Sequence, residues 1–599
     1  MADLSVILYF CGLIISLLLI VLFACLEKRK SVRPDLLYGR PSVPIPVRFL
    51  DGYKDRKMYC AASCSLGYLA MDLLTLTGRV NAIPAVKAFL LLFGMFFVAA
   101  VYAPLVLSIT TRHTLIGSIV GLCYTLGSFG VHMMEAIEND FGYSPAFILF
   151  YFLPALVCDV LLFLLFIKRL YTNIKTKQFT TKFTDVVSTH QVRYVEFLFK
   201  NYKIDYGTSF GRLHWLIYKC RPDFKYPINI VFASTIATTI VYLVFLKFIY
   251  LPSFFQELIR RNIDIVQSSN HTFRAVELQF SSFFLDNNTL FLIFKYDWYV
   301  ASVIGLLVAS FHIYMLLLRY RKNILKLYKG QNSQLINEFR KSSPIEVVAW
   351  SLKFKGYLIA YTLWGYLICT VVVWLILSII IGGCYVLNEI DLLADAIETV
   401  AQYLILPVIT WVLFLLQKLL TRFFFLQPKI NPDDQYRPLN IDNRRCFEFL
   451  GYYWIFNNLI VGFISSILRI IKSFSISLFM IGCLERPLLL RGFEQYDRGF
   501  FSYVSMLYLD VAHNHPILRV FISHIWGPKI EEKQTGKKNK TSKAWIRWNL
   551  AYTLIKNPNL RELRVHKIPH DQLSTIDIGL NHELGSVVYY NNNTEIELF

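Results

Sequence analysis

Few side chains in this sequence combine the type and the spacing that chemistry needs. His513 and His515 stand two apart and could begin a metal site. No third ligand follows at a metal-binding interval, and no Cys-x-x-Cys or His-Glu-x-x-His pattern occurs. His312 lies inside an apolar run. A membrane acyltransferase can carry a catalytic imidazole in such a place, but a histidine packed among helices is the simpler reading. Asp159 is the most unusual polar residue, set in another apolar run with no partner nameable from the sequence. An acid inside a membrane segment is functional or structurally paired, and both readings stay open. There is no Gly-rich phosphate loop, Gly-x-Ser-x-Gly turn or paired-carboxylate cluster. Nothing here supports an enzyme, and neither a metal nor a cofactor is expected.

The clearest motif is in the tail, from Lys540 to Asn557. Ser542 can cap a helix and Asn557-Pro558 can end it. At helical spacing Trp545, Trp548, Tyr552 and Ile555 fall within an arc of about 80°. Lys537, Lys538, Lys540, Lys543 and Arg547 lie upstream or alongside. Such a basic helix with aromatic anchors suits calmodulin, whose apolar grooves take the anchors while its acidic rim meets Lys and Arg. It suits anionic lipid headgroups equally well.

The elements that would position these residues follow from composition. Of 599 residues, 55% are hydrophobic and only 17% charged, while Lys+Arg 61 against Asp+Glu 41 gives a net charge of +20. Mean hydropathy is +0.46. Soluble domains carry about 25% charged residues, so a soluble globule of this size is excluded, as is a disordered chain. The basic surplus is confined to loops between apolar runs, which reads as orientation in a bilayer rather than nucleic-acid binding. Cys11, Cys25, Cys64, Cys123, Cys158 and Cys369 lie in those runs as small hydrophobes, with no disulfide framework.

Strong spans are expected at 5–26, 87–109, 115–134, 145–167, 227–250, 297–318, 356–383 and 397–424. A weaker one is expected at 58–77, rich in Ala, Ser and Gly and carrying Asp72. Counting it gives nine and leaves the N-terminus outside. The inside loops then hold Arg33 to Lys57, Lys168 to Lys225, and Arg319 to Lys355. The outside loops at 135–144 and 385–396 have no Lys or Arg. The same count puts the sequons at Asn270 and Asn287 outside, where glycans are added.

The run from Tyr452 to Leu484 has the length of a span but is interrupted by Arg469 and Lys472. A charge at mid-membrane is costly, so a re-entrant or interfacial helical pair is expected there, returning the C-terminus to the cytoplasm. The chain therefore divides into four parts. Residues 1–57 hold the first span and a stiff Pro-rich cytoplasmic linker, and 58–424 hold helices two to nine. Residues 425–530 hold re-entrant, intramembrane and interfacial helices, and 531–599 form the cytoplasmic tail. The fold class is all-α and polytopic. The stock of Phe, Tyr, Leu and Ile in the spans suits a cavity for a lipophilic molecule, although helix packing alone accounts for it.

Trp548-Asn549-Leu550-Ala551-Tyr552-Thr553-Leu554 with Asn557-Pro558 resembles the tail signature of the vitamin A receptor family, multi-pass receptors for retinol-binding protein. Further segments match in the same order. They are Gly39-Arg40-Pro41 with Pro44, Pro46, Val47, Phe49 and Leu50; Asn443-Arg444-Arg445 with Asn458-Leu459 and Val461-Gly462; and Asp497-x-Gly499 with Tyr503, Val511 and His515-Pro516. The resemblance implies nine transmembrane helices plus a re-entrant intramembrane helix, in a plasma-membrane homodimer. It implies a lipophilic cleft into which retinol, the transported ligand, passes from its carrier without ATP or ion coupling. It also implies calmodulin on the cytoplasmic side, which favours that partner for the tail helix, with Lys543, Trp545, Arg547, Trp548, Tyr552 and Ile555 as contacts. Members that bind the plasma carrier have a Tyr followed by Gly-x-Gly in the outside loop before the seventh span. The loop from Leu251 to Tyr296 has no Gly, so no binding residue is carried over there and a receptor-2-like or divergent member is expected.

The expected function is a cell-surface receptor for retinol uptake, with retinol-binding protein or another lipid carrier as partner beside the bilayer itself. A retinoid- or lipid-sensing signalling receptor, in which the tail matters more than transport, is the alternative. An enzyme using His312 is the third reading. The topology has a direct test. Removing both Asn270 and Asn287 should abolish a glycosidase-sensitive mass shift on gels, whereas a persisting shift would contradict the placement of that loop.

Overall fold

The computed structural model describes residues 2–27, 41–50, 52–79, 83–137, 145–177, 187–200, 221, 223–267, 288–330, 343–389, 391–429, 437–490, 493–523, 543–556, 558, 589–591 and 594–596. Helices dominate them. In chain order they are α1 (Ala2–Leu26), α2 (Arg56–Arg79), α3 (Pro84–Thr110), α4 (Thr114–Ile137), α5 (Pro145–Thr176), α6 (Thr189–Lys200), α7 (Ile228–Gln267), α8 (Asn288–Tyr328), α9 (Pro344–Leu377), α10 (Leu393–Leu420), α11 (Arg444–Met480), α12 (Arg498–Asn514) and α13 (Lys543–Lys556). Wider π-type turns follow α9 at Ser378–Gly382 and α10 at Thr421–Phe425. Apart from one bridge between Leu426 and Ile441, the pairing among the described residues is a small antiparallel hairpin of Tyr589–Asn591 and Thr594–Ile596, with Tyr589 opposite Ile596.

Local chemistry sets several helix starts. Pro84, Pro145 and Pro344 open their helices, where the missing N–H costs nothing. Ser343 Oγ accepts from the Glu346 amide at 3.3 Å. Gln191 Oε1 accepts from the Ser188 amide at 3.2 Å at the head of α6. Asp497 caps α12 by accepting from the Phe500 amide at 3.1 Å.

Seven stretches among the described residues are long and apolar enough to cross a membrane: Pro84–Thr110, Thr114–Ile137, Phe147–Thr176, Ile228–Ser253, Thr289–Tyr328, Pro344–Glu389 and Asn458–Met480. The first six coincide with spans expected from the sequence. The expected spans at 5–26, 58–77 and 397–424 are helical as well, in α1, α2 and α10. The Tyr452–Leu484 region departs from expectation. It is not a pair of helices but part of one uninterrupted helix, α11, of 37 residues. At 1.5 Å per residue it is about 55 Å long, well beyond the roughly 30 Å of a hydrocarbon core. Arg469 and Lys472, three apart, share a face, and a charged face does not interrupt backbone hydrogen bonding.

The helices assemble into two compact units. The first comprises Met1–Ile236, Met315–Leu358 and Leu489–Phe599; the second comprises Ala237–Tyr314 and Ile359–Leu488. The first unit is organised around α2, α3 and α5, whose Tyr59, Ala62, Tyr102, Leu105, Leu162 and Phe166 lie in one buried cluster. Along α4, Gly117, Gly121, Thr125, Ser128 and His132 recur at helical spacing. This stripe of small and polar residues admits close neighbours, as membrane helices require when packing rather than hydrophobicity joins them. A Cβ on Gly117 would collide with the Ser108 carbonyl, and one on Gly121 with the Phe166 ring.

In the second unit, indole donors do comparable work. Trp298 Nε1 donates to the Phe248 carbonyl at 2.7 Å and Trp374 Nε1 to the Phe294 carbonyl at 3.2 Å. The two indoles meet edge to face at 5.4 Å, linking α7, α8 and α9.

The glycine stripe is directly testable. Gly121→Leu should destabilise the first unit by about 1–3 kcal/mol through overpacking, read as a lower melting temperature in detergent. Gly127→Leu, on the same helix with open space around its Cβ, should melt like the parent. Equal melting of both variants would contradict this packing.

Candidate functional site

Asp159 has the partners that the sequence could not name. It sits on α5 with 1% of its surface exposed. Ser65 Oγ of α2 donates to its Oδ1 at 2.9 Å, and Ser128 Oγ of α4 approaches Oδ2 at 3.4 Å. His132 Nδ1, also on α4 and 3% exposed, lies 2.7 Å from Oδ2. One carboxylate thus ties three helices. The Tyr68 ring stands edge-on against His132 at 5.1 Å. One helical turn from Tyr68, Asp72 accepts from the Tyr151 hydroxyl at 2.8 Å. His132 went unremarked in the sequence, although its i, i+4 spacing from Ser128 and its place on the small-residue stripe mark the face that reaches the acid.

His312 belongs to the second unit and has a different setting. It is buried, and its Nδ1 has no hydrogen-bond partner among the described residues. Gly365 and Gly482 wall it in: a Cβ on Gly482 would stand 2.5 Å from His312 Nδ1, and one on Gly365 would stand 2.8 Å from the Gly482 Cα. These are the contacts of a buried, closely packed ring. His513 and His515 do not converge. His513 is exposed, while the His515 ring packs edge-on against Tyr328 at 5.5 Å. Among the described residues no group of three or more His, Cys, Asp or Glu could hold a metal ion.

A polar hub joins α12 to the Pro-rich segment and to α6 and α8. Tyr320 donates to Asp510 Oδ2 at 2.9 Å, and Asn323 Nδ2 donates to the Tyr503 hydroxyl at 3.1 Å. Asn514 Nδ2 donates to the Leu50 carbonyl, while the Asn514 carbonyl accepts from Gln191 Nε2 at 3.5 Å. The described part of the Pro-rich segment is anchored at several points. The Pro46 carbonyl accepts from Thr110 Oγ1, the Ile228 amide donates to the Gly52 carbonyl at 2.9 Å, and Lys355 Nζ lies 4.0 Å from the Phe49 ring centre. Burial pushes the Asp510 carboxyl up to about 7, against the opposing pull of Tyr320 and Lys355. Burial, with Lys225 and Arg56 nearby, holds the His190 imidazole down at about 4, so the ring beside Tyr53 is neutral.

The tail forms helix α13. Trp548 and Tyr552 stack at 5.9 Å with rings 7° from parallel, and Ile555 and Arg547 are exposed with them. Trp548 has 69% of its surface exposed. The side chains of Lys543 and Trp545 lie outside the described residues, as do Asn270 and Asn287.

Leu50 and Tyr503 belong to this hub, Phe49 meets Lys355 and Pro46 meets Thr110 on the same segment, and Asp497 and His515 bound the two ends of α12. Residues 3–566 match the family described as retinol binding protein receptor. The chain belongs to this family. It is 26% identical over 601 residues to a mouse protein named "Stimulated by retinoic acid gene 6 protein-like", covering 93% of each chain. It is 23% identical over 621 residues to the human "Receptor for retinol uptake STRA6", covering 92% of this chain and 90% of that one. The bovine protein of that name is 21% identical over 630 residues. Membership and the apolar helices together make this a multi-pass membrane protein.

The Asp159 cluster predicts a graded response. Asp159→Ala strands His132 and both serines and should cost about 3–5 kcal/mol, the loss expected when buried polar groups lose a shared partner. Asp159→Asn keeps an acceptor and should cost less. Thermal unfolding of the purified protein checks this order; an alanine variant as stable as the parent would contradict it.

Proposed function

We propose that this chain is a plasma-membrane receptor that takes retinol from a retinol-binding protein, or from another lipid carrier, and releases it into the bilayer. The observation that carries this reading is the family match along residues 3–566, with relatives named for retinol uptake aligned over more than nine-tenths of the chain. Retinol is apolar and moves down its own free-energy gradient from carrier to protein interior to membrane, so neither ATP nor an ion gradient is required. The settings of Asp72 and Asp159 support this. Asp72 and Asp159 are both engaged by neighbouring helices, in contrast to the solvated series of charges that an ion-coupled carrier needs.

The orientation belongs to the same proposal. In this proposal nine spans put the N-terminus outside and the α6–α12 hub and the tail in the cytoplasm, with α11 at or within the membrane; the homodimer rests on the family resemblance alone. Calmodulin is the proposed cytoplasmic partner of α13, gripping Trp545, Trp548, Tyr552 and Ile555 while Lys543 and Arg547 meet its acidic rim. Exposure of the stacked Trp548 and Tyr552 supports that reading.

Proteoliposomes containing the purified protein, given retinol-loaded carrier, should acquire retinol in their membranes without nucleotide and in the presence of ionophores. Retinol that stays with the carrier would contradict uptake, and carrier binding without transfer would favour a signalling receptor. Replacing Trp545 and Trp548 with alanine should abolish calmodulin co-purification while transfer persists; unchanged recovery of calmodulin would refute the anchors.

A further inference from the structure

One acid of the polar hub stands near a lysine that does not pair with it. Trp350 meets Phe501 edge to face at 5.4 Å and Phe354 packs on Tyr503 at 6.2 Å, so α9 runs beside α12. This brings Lys355 of α9 close enough to act on Asp510 of α12, which is 3% exposed. A buried carboxylate draws a neighbouring ammonium into a hydrogen-bonded ion pair. The Lys355 ammonium instead stands 4.0 Å from the centre of the Phe49 ring, and among the described residues no ion pair joins it to Asp510. Asp510 Oδ2 accepts from the Tyr320 hydroxyl at 2.9 Å. This is the arrangement of a neutral acid beside a cation that has settled on an aromatic face.

The other ionisable groups around the acid leave this choice to Lys355. Tyr320 and Tyr328 of α8 and Tyr53 of the Pro-rich segment are phenols, uncharged near neutral pH. On α9, Lys353 lies over the Trp350 ring at 4.1 Å. Past the end of α12, Arg519 donates to Asn514 Oδ1 at 3.0 Å, and His513 of α12 is exposed. Phe49 also meets the Phe232 ring of α7 edge to face at 6.0 Å, so the lysine is part of what holds this segment to the bundle. Burial keeps the Asp510 carboxyl at about 7, where neutral and ionised forms are both populated near neutrality.

We propose that Asp510, Lys355 and Phe49 form a proton-operated latch on the Pro-rich segment. With the acid protonated, Lys355 rests on Phe49 and the segment is held. When Asp510 gives its proton to solvent, the carboxylate draws the Lys355 ammonium to itself and Phe49 loses its cation. A close buried ion pair is stronger than a cation–π contact, so the ionised acid takes the lysine. Tyr320 donates to Oδ2 in both states. Because folding raises this acid above the ordinary carboxylate value of 3.8, its contribution to stability is greatest in acid and is lost as pH rises through about 7. The latch is therefore closed below neutrality and open above it. It needs neither the membrane orientation nor the retinol reading.

The test compares the purified full-length protein in detergent with two variants. Asp510→Asn keeps an acceptor for Tyr320 but cannot ionise, and Lys355→Met removes the moving cation. Amide hydrogen exchange of a peptide covering residues 46–50, divided by its intrinsic rate, is read at about pH 6 and about pH 8, one unit either side of the carboxyl. The parent should exchange like Asp510→Asn at the lower pH and about tenfold faster at the higher one, since one unit past its pKa an acid is ionised tenfold over. Lys355→Met should exchange fast and equally at both. A peptide from α8 in the second unit should show no such pH response in any of the three proteins. Infrared titration of the parent should show a protonated-carboxyl band that fades near neutrality and is missing from Asp510→Asn. A parent that matches Asp510→Asn at both pH values, a difference between them that is the same at both, or a full pH response in Lys355→Met would overturn the latch. If Asp510→Asn fails to fold, the pH response of the parent and its loss in Lys355→Met decide the question.

Discussion

A polar group left bare inside hydrocarbon costs several kcal/mol, and this constraint shapes the interior of the protein. Helices satisfy their own backbones, so the difficulty falls on side chains. In the first unit, Asp159 is answered by Ser65, His132 and Ser128 drawn from two other helices. Asp72 is answered by Tyr151. In the second unit, Trp298 and Trp374 turn their indole N–H groups toward backbone carbonyls. Each contact also fixes which helices are neighbours, something apolar packing alone specifies weakly in lipid. The small-residue stripe on α4 acts with them by bringing backbones close enough for short side chains to reach across.

A second polar assembly orders the helix ends and loops of the first unit. Asp510, Asn514 and Tyr503 on α12 meet α6, α8 and the Pro-rich segment before α2. Several of the short motifs by which the chain resembles its family lie here rather than along the spans. The spans need mainly apolar character, whereas the cap at Asp497, the buried Tyr503 hydroxyl and the Asn514 amide need polar groups in fixed places.

Much of the helical architecture was legible because twenty-residue apolar runs have few other outcomes. All nine expected spans are helical, and the resemblance carried by the short motifs agrees with the family match over residues 3–566. What escaped the sequence was pairing. Asp159 stands out as an acid among Leu and Phe, but His132 lies 27 positions away on another helix and Ser65 lies 94 positions away. No local pattern joins them. The Tyr452–Leu484 run misled because Arg469 and Lys472 suggested a break, while a helix with one charged face continues without one.

The central claim is that retinol moves through this scaffold only down its own gradient, with Asp72 and Asp159 committed to structure. The sharpest test runs the process backward. Proteoliposomes loaded with retinol, with nucleotide and ion gradients absent, are presented with empty carrier. A passive path predicts protein-dependent transfer of retinol out to the carrier, at an equilibrium ratio equal to that reached by forward transfer. Transfer in one direction only, or return flux appearing only when ATP or an ion gradient is supplied, would contradict the account.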